Sequence, residues 1–245
     1  KKFGINYLYQ PFFTQQLGVF TSLPITKKLV NNFIDAIPSS YKYIDINLNE
    51  INDVSERAEV TPLTNYHLDL NLDYALIKVN YSKSLKRKLN KAEKNELLIN
   101  QHLSPEVFVD FYLKNVACKV DNFEEKHKHV LHRIIYKALS YQLGAITGIT
   151  NKQSELVAAN FILLHPTRII NLLPCSNKEG NELNAMSFLM DHLVQRNANN
   201  RKIFDFEGSM IEGVAQFYKS FGAEESKYYK LKMNLLPSFF RIFKK

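Results

Sequence analysis

Between residues 144 and 174 three short stretches rich in apolar residues follow one another, parted by polar turns, and no other feature constrains the fold as strongly. Segments 144–150, 155–165 and 168–174 each read as a strand, because side chains of an extended chain point alternately to opposite faces. The turns between them are short and polar, Asn151-Lys152-Gln153-Ser154 and His165-Pro166-Thr167, so the strands are expected to pair antiparallel. Parallel neighbours would need crossovers of about a dozen residues, so this stretch does not read as a doubly wound sheet.

Around this meander the period is helical. Pro24 and Thr26 open a helix in which Leu29, Val30, Phe33, Ile34 and Ile37 recur at three- and four-residue spacing, and Pro38 closes it. Residues 5–9, 17–21, 41–48 and 66–72 read as extended, and 49–61 as a polar loop. Ser82 or Ser84 caps a helix running to about Asn95, with Leu85, Leu89 and Ala92 on its apolar stripe and lysines on its other faces. Ser104-Pro105-Glu106 opens another helix, and 126–139 forms the next. After the meander come a helix at 184–197, a short strand at 203–206, a helix at 213–221 ended by Gly222, and a strand at 228–233. From Leu97 onward the order is β-α-α-β-β-β-α-β-α-β, which predicts a mixed α/β domain with a mostly antiparallel sheet flanked by helices.

No stretch approaches the ~18 consecutive apolar residues of a membrane span. The first residues hold no sustained apolar core, so no signal peptide is expected there. Cys118 and Cys175, the two cysteines, lie far apart and read as reduced thiols of a cytoplasmic protein; no CxxC or HExxH spacing points to a metal. The net charge of +8 suits a polyanion but does not choose among nucleic acid, anionic lipid and a phosphorylated cofactor.

Two segments carry a resemblance. The first is Asp205-Phe206-Glu207-Gly208-Ser209, followed by Gly213-Val214-Ala215-Gln216-Phe217-Tyr218-Lys219-Ser220-Phe221-Gly222. The second is the basic helix Ser84-Leu85-Lys86-Arg87-Lys88-Leu89-Asn90-Lys91-Ala92-Glu93-Lys94. Their order and separation, with the hairpin and helix between them, resemble the Fem-type branch of the GNAT superfamily of acyltransferases. The resemblance implies two half-similar domains: a partial GNAT-like half at 1–80 whose opening strands are absent, a GNAT acyltransferase-like half at 81–236, and a basic aromatic tail at 237–245. The start of the chain within a strand fits that expectation.

The resemblance also implies chemistry. A GNAT enzyme moves an acyl group from a thioester, here acyl-CoA such as acetyl-CoA, to an amine, with no metal. Tyr218 stands where the superfamily often places the acid that protonates the leaving thiolate; alternatively it packs between Phe217 and Phe221. Asp205 and Glu207 alternate on a strand, so both would face the amine, or they anchor a loop. The donor's pyrophosphate would rest on Lys178, Gly180, Asn181, Asn184 and Ala185 at the start of a helix, where exposed N–H groups attract an anion. Glu179 and Glu182 depart from that pattern, and the alternative is a polar loop capping the helix through Asn181 or Asn184. Gln15 and Gln16 are candidates for substrate recognition, and Arg87 for a phosphate or simply a solvated basic face. The acceptor would be a small-molecule or a cell-wall or lipid-precursor amine. A Fem-like alternative takes its acyl group from aminoacyl-tRNA, and a third possibility keeps the fold without catalysis.

Overall fold

The computed structural model describes residues 4–208 and 210–237. Ser209 of the first motif and the tail beyond Pro237 lie outside the described residues. In chain order the elements are β1 (Asn6–Tyr9), α1 (Lys27–Asp35), β2 (Tyr41–Asn47), β3 (Val60–Asp69), α2 (Tyr74–Val79), α3 (Lys83–Lys94), β4 (Leu98–Asn100), α4 (Pro105–Asn115), a 3-10 turn (Ala117–Lys119), α5 (Glu125–Ser140), β5 (Gly144–Thr150), β6 (Leu156–His165), β7 (Arg168–Ser176), α6 (Lys178–Glu182), α7 (Ala185–Asn197), β8 (Ile203–Asp205), α8 (Glu212–Lys219) and β9 (Glu224–Asn234).

The helix starts follow the expected chemistry. The hydroxyls of Thr26, Ser82 and Ser104 accept from the N–H groups of Leu29, Leu85 and Val107, satisfying donors that a helix cannot pair internally. α2 and α6 escaped the sequence reading because six and five residues are too short to display a period. Residues 17–21 form no strand; only a single parallel bridge, Leu17 to Leu48, forms there. β3 begins at Val60, inside the expected loop.

Contacts divide the chain into residues 1–65 with 225–245, and residues 66–224. The expected boundary at 80/81 thus lies within the second unit, because Tyr66, Leu68, Ile77 and Tyr81 share one core with Leu85 and Leu89. In the first unit β1 lies parallel to β2, and β2 pairs antiparallel with β9 through Ile44↔Met233 and Ile46↔Leu231. Val30 and Ile34 of α1 close its core over Ile44, Ile46, Leu48 and Leu231.

In the second unit the strand order is β3-β8-β7-β6-β5-β4. The pairs are antiparallel except β7 with β8. β6 is buried on both faces: Ala158 and Ile162 join the core under α3 and α7, while the Phe161 ring lies 6.3 Å from that of Phe108 on α4. That explains the nearly unbroken apolar run along it. α6 packs directly on β6, and a Cβ added at Gly180 would lie 2.1 Å from the Val157 carbonyl oxygen. Gly180→Ala is therefore expected to cost about 1–3 kcal/mol of stability in urea unfolding. Gly213→Ala, which would meet nothing within 4 Å, is expected to leave stability unchanged or raise it slightly.

Candidate active site: a fork between two parallel strands

β7 runs nine residues but pairs with β8 only through Arg168↔Ile203, Ile169↔Phe204 and Ile170↔Asp205. Beyond Ile170 the two paths separate. β7 stays with β6 as far as Ala158↔Ser176, whereas the chain after β8 stays with β3, where the Phe206 N–H donates to the Tyr66 carbonyl at 3.0 Å. The β6–β7 register also shifts between Phe161 and Leu163, so that Asn171 and Leu172 together stand opposite Ile162. An extra residue of this kind bends a strand and redirects its side chains. The result is a cleft of about 360 Å³ at the fork. β7 supplies Asn171 and Cys175 to its wall, α7 supplies Met186 and Met190, and α8 supplies Phe217 and Tyr218.

The root of the fork is polar. Asp205, 3% exposed, receives the Arg168 guanidinium at 2.5 Å and the Glu207 N–H at 2.8 Å, with His67 Nε2 3.7 Å away. Burial opposes its charge, but the hydrogen bond and charge of His67, the Glu207 N–H and Arg168 outweigh burial and hold the carboxyl below its ordinary value. Glu207 does not continue the strand. It takes a left-handed conformation, φ +57°, uncommon for a residue with a side chain. The expectation that Asp205 and Glu207 alternate on one strand face is thereby corrected, since β8 ends at Asp205. Burial, with the neighbouring Asp205 charge, pushes the Glu207 carboxyl up to about 8. Neither carboxylate lines the cleft.

Tyr218 does. Its ring stacks on Phe206 at 4.7 Å, neighbours Phe217 and Tyr66, and is 7% exposed, and the residue also forms part of the cleft wall. Burial first, then the charge of Glu207, push the phenol up to about 12, partly offset by the pull of the Asn171 amide. α8 presents it with Glu212 in the first turn and Lys219 in the last, signs that suit the helix dipole. At the end of that helix Gly222 turns left-handed, φ +78°, with no room for a Cβ beside Asn80.

The other expected residues are dispersed. Of the five proposed for the donor, Asn181 alone lines the cleft. Lys178 is exposed, Gly180 gives its N–H to Asn177 Oδ1 at 2.7 Å, Ala185 is fully buried, and Asn184 begins α7 in a left-handed conformation without a side-chain cap. Capping falls to Asn177, on the short α6, and not to Asn181 or Asn184. Gln15 and Gln16 belong to the first unit, where the Gln15 carbonyl accepts from Gln10 and Asn47 and Gln16 Oε1 accepts the Glu50 N–H. Arg87 is exposed on α3 and does not line the cleft.

Sequence reasoning passed over Asn160 and Asn171. Both are about 1% exposed, and Asn160 Nδ2 donates to Asn171 Oδ1 at 2.8 Å. Their signal was present: each is a lone amide inside an otherwise apolar strand, where a buried polar group is costly without partners. Cys175 has its thiol raised by burial and hydrogen-bonds to the Ala159 carbonyl, so it is no nucleophile. No group of three or more His, Cys, Asp or Glu able to hold a metal occurs among the described residues. No helix among them is long and apolar enough to cross a membrane.

The Glu207 carboxyl sets a pH dependence. Its value is raised on folding, so the folded chain holds a proton there between about 4.5 and 8 that the unfolded chain has lost. Stability from this group is complete below about 4.5 and is lost as the pH rises through about 8. Thermal melts of Glu207→Gln against the unsubstituted protein, from pH 5 to 9, are expected to show a flatter decline in the variant.

No protein-family model matches the sequence, and no curated protein matches it. Similarity is found among solved structures. FemX superposes with a TM-score of 0.61 at 9% identity, over 90% of this chain and 80% of that one. The C-terminal domain of a candidate lysylphosphatidylglycerol synthetase from Agrobacterium fabrum gives 0.55 at 11% identity, over 85% and 72%. A conserved protein of unknown function from Bacteroides thetaiotaomicron gives 0.52 at 11% identity, over 84% and 67%. Identities this low speak to fold alone, and the fold of this chain is like that of FemX and of the Agrobacterium domain.

Proposed function

We propose that the protein is an acyl-group transferase that moves an acyl unit from an activated ester or thioester to an amine in the cleft at the β7–β8 fork. The observation that carries this reading is the opening of the sheet beyond Ile170↔Asp205 beside the Tyr218 hydroxyl. The amine attacks the donor carbonyl, the tetrahedral intermediate collapses, and Tyr218 gives its proton to the departing atom.

Two features favour an aminoacyl ester on tRNA over acyl-CoA as donor. The segment after β7 is a helical turn packed on β6, with the Gly180 N–H already engaged by Asn177, so it offers little to a pyrophosphate. A phenol at about 12 is also mismatched to a thiolate, whose parent thiol lies near 8.5. That proton transfer is uphill by roughly 5 kcal/mol. A sugar alkoxide is far more basic and takes the same proton readily. The fold shared with FemX and with the Agrobacterium synthetase domain supports a cell-wall or lipid-precursor amine as acceptor.

A thermal-shift panel of coenzyme A, acetyl-CoA, uncharged tRNA and aminoacyl-tRNA separates the readings. Ligand at a hundredfold excess over Kd adds about 2.7 kcal/mol, a rise of roughly 5–10 °C. A shift with aminoacyl-tRNA is expected, a shift with acetyl-CoA alone restores the thioester donor, and no shift with any of them points to a non-catalytic protein. In the transfer assay that follows, Tyr218→Phe is expected to lower kcat by about a hundredfold with donor affinity little changed; undiminished turnover removes Tyr218 from the chemistry.

A further inference from the structure

The polar pair inside the sheet is only half satisfied. Asn171 Oδ1 is occupied by Asn160, but Asn171 Nδ2 and Asn160 Oδ1 have no hydrogen-bond partner although both are buried. Asn171 stands at the first position of β7 past the last β8 pair, within the register shift, and is one of the residues that line the cleft together with Tyr218. Because its oxygen is taken, it offers the cleft a donor and nothing else. The Asn171 amide acts on the Tyr218 phenol as a weak hydrogen-bond donor, lowering it, while Nδ2 finds no acceptor at full hydrogen-bond geometry. A buried donor left open costs folding energy, and a ligand that completes it accounts for its presence beside the cleft.

We propose that Asn171, with its amide orientation fixed by Asn160, binds the carbonyl oxygen of the transferred acyl group. This rests on the transferase reading above and adds to it the group that meets the developing negative charge. As the amine nitrogen forms its bond to the carbonyl carbon, the C=O π pair moves onto oxygen, which accepts the Asn171 N–H. The pair returns to re-form the carbonyl as the bond to the leaving oxygen or sulfur breaks. That atom takes the Tyr218 proton, Tyr218 recovers one from water in the cleft, and the amine releases its own to solvent. Asn160 does not line the cleft; its Nδ2 donates to the Asn171 oxygen and so favours the orientation in which Asn171 presents its N–H to the ligand.

The test uses the ligand-free protein and one simple probe. If the pair serves a ligand, the double variant Asn160→Leu, Asn171→Leu replaces a half-satisfied network by apolar groups of similar branching. It is expected to melt at or above the unsubstituted protein, by up to about 2–4 °C, while Asn171→Leu alone melts lower because it strands the Asn160 amide. A double variant that melts several degrees below the unsubstituted protein makes the pair structural and overturns the proposal. On the unsubstituted, nitrogen-15-labelled protein, the Asn171 side-chain amide signals, assigned by their loss in Asn171→Asp, are expected to shift with N-acetylglycinamide and not with glycinol, which lacks a carbonyl. Signals that stay in place with N-acetylglycinamide also overturn it. Signals that move while no acyl donor stabilises the protein keep the carbonyl site and discard the transferase reading.

Discussion

Asp205 closes the short run of pairing between β7 and β8, and the rest of the site depends on how it is held. Its carboxylate is buried and ionised, which Arg168, His67 and the Glu207 N–H together sustain. Arg168 opens β7 and His67 lies on β3, so one carboxylate ties three neighbouring strands at the base of the fork. Removing one partner of a buried ion pair is far more damaging than its net contribution suggests, because the other charge is left stranded. The same carboxylate draws Glu207 into a left-handed turn and so directs the chain away from β7. Strain of this kind persists only where the surroundings over-determine it.

From that anchor the electrostatics are graded outward. Burial first, then the charge of Asp205, raises Glu207, and burial first, then the charge of Glu207, raises the Tyr218 phenol. Such pairs of groups pushed to unusual values are what acid–base chemistry near neutral pH requires, although structural networks produce them too. Here the distinction is made by position: Tyr218 lines the cleft and the carboxylates stand behind it.

The fold was legible because its elements are long and regularly patterned. The three-strand meander, the Ser82 and Ser104 helix starts and the basic helix α3 stand close to where their patterns put them. Tyr218 was legible from its place in the motif that leads to Gly222. What escaped was whatever depends on departures from regularity. The left-handed turn at Glu207 broke the alternation expected for Asp205 and Glu207. The helical turn α6 replaced an open loop at Lys178–Glu182, because Gly180 could sit against the Val157 carbonyl. Asn171 faces the cleft through a register shift that no residue pattern announces, although an amide within Arg168–Ser176 was itself a signal. Residues 225–245 group with the first unit because β9 pairs with β2, far away in the chain, and long-range pairing leaves no local trace.

The central claim is that the reacting carbonyl sits in the fork between β7 and the continuation of β8. A crystal structure with a stable 3′-aminoacylamino-adenosine analogue tests it most directly. The account predicts the analogue's carbonyl carbon in the cleft, its oxygen at hydrogen-bond distance from Asn171 Nδ2 and its ribose-linked nitrogen facing the Tyr218 hydroxyl. An analogue bound elsewhere on the second unit, with the cleft still empty beside Tyr218, would contradict it.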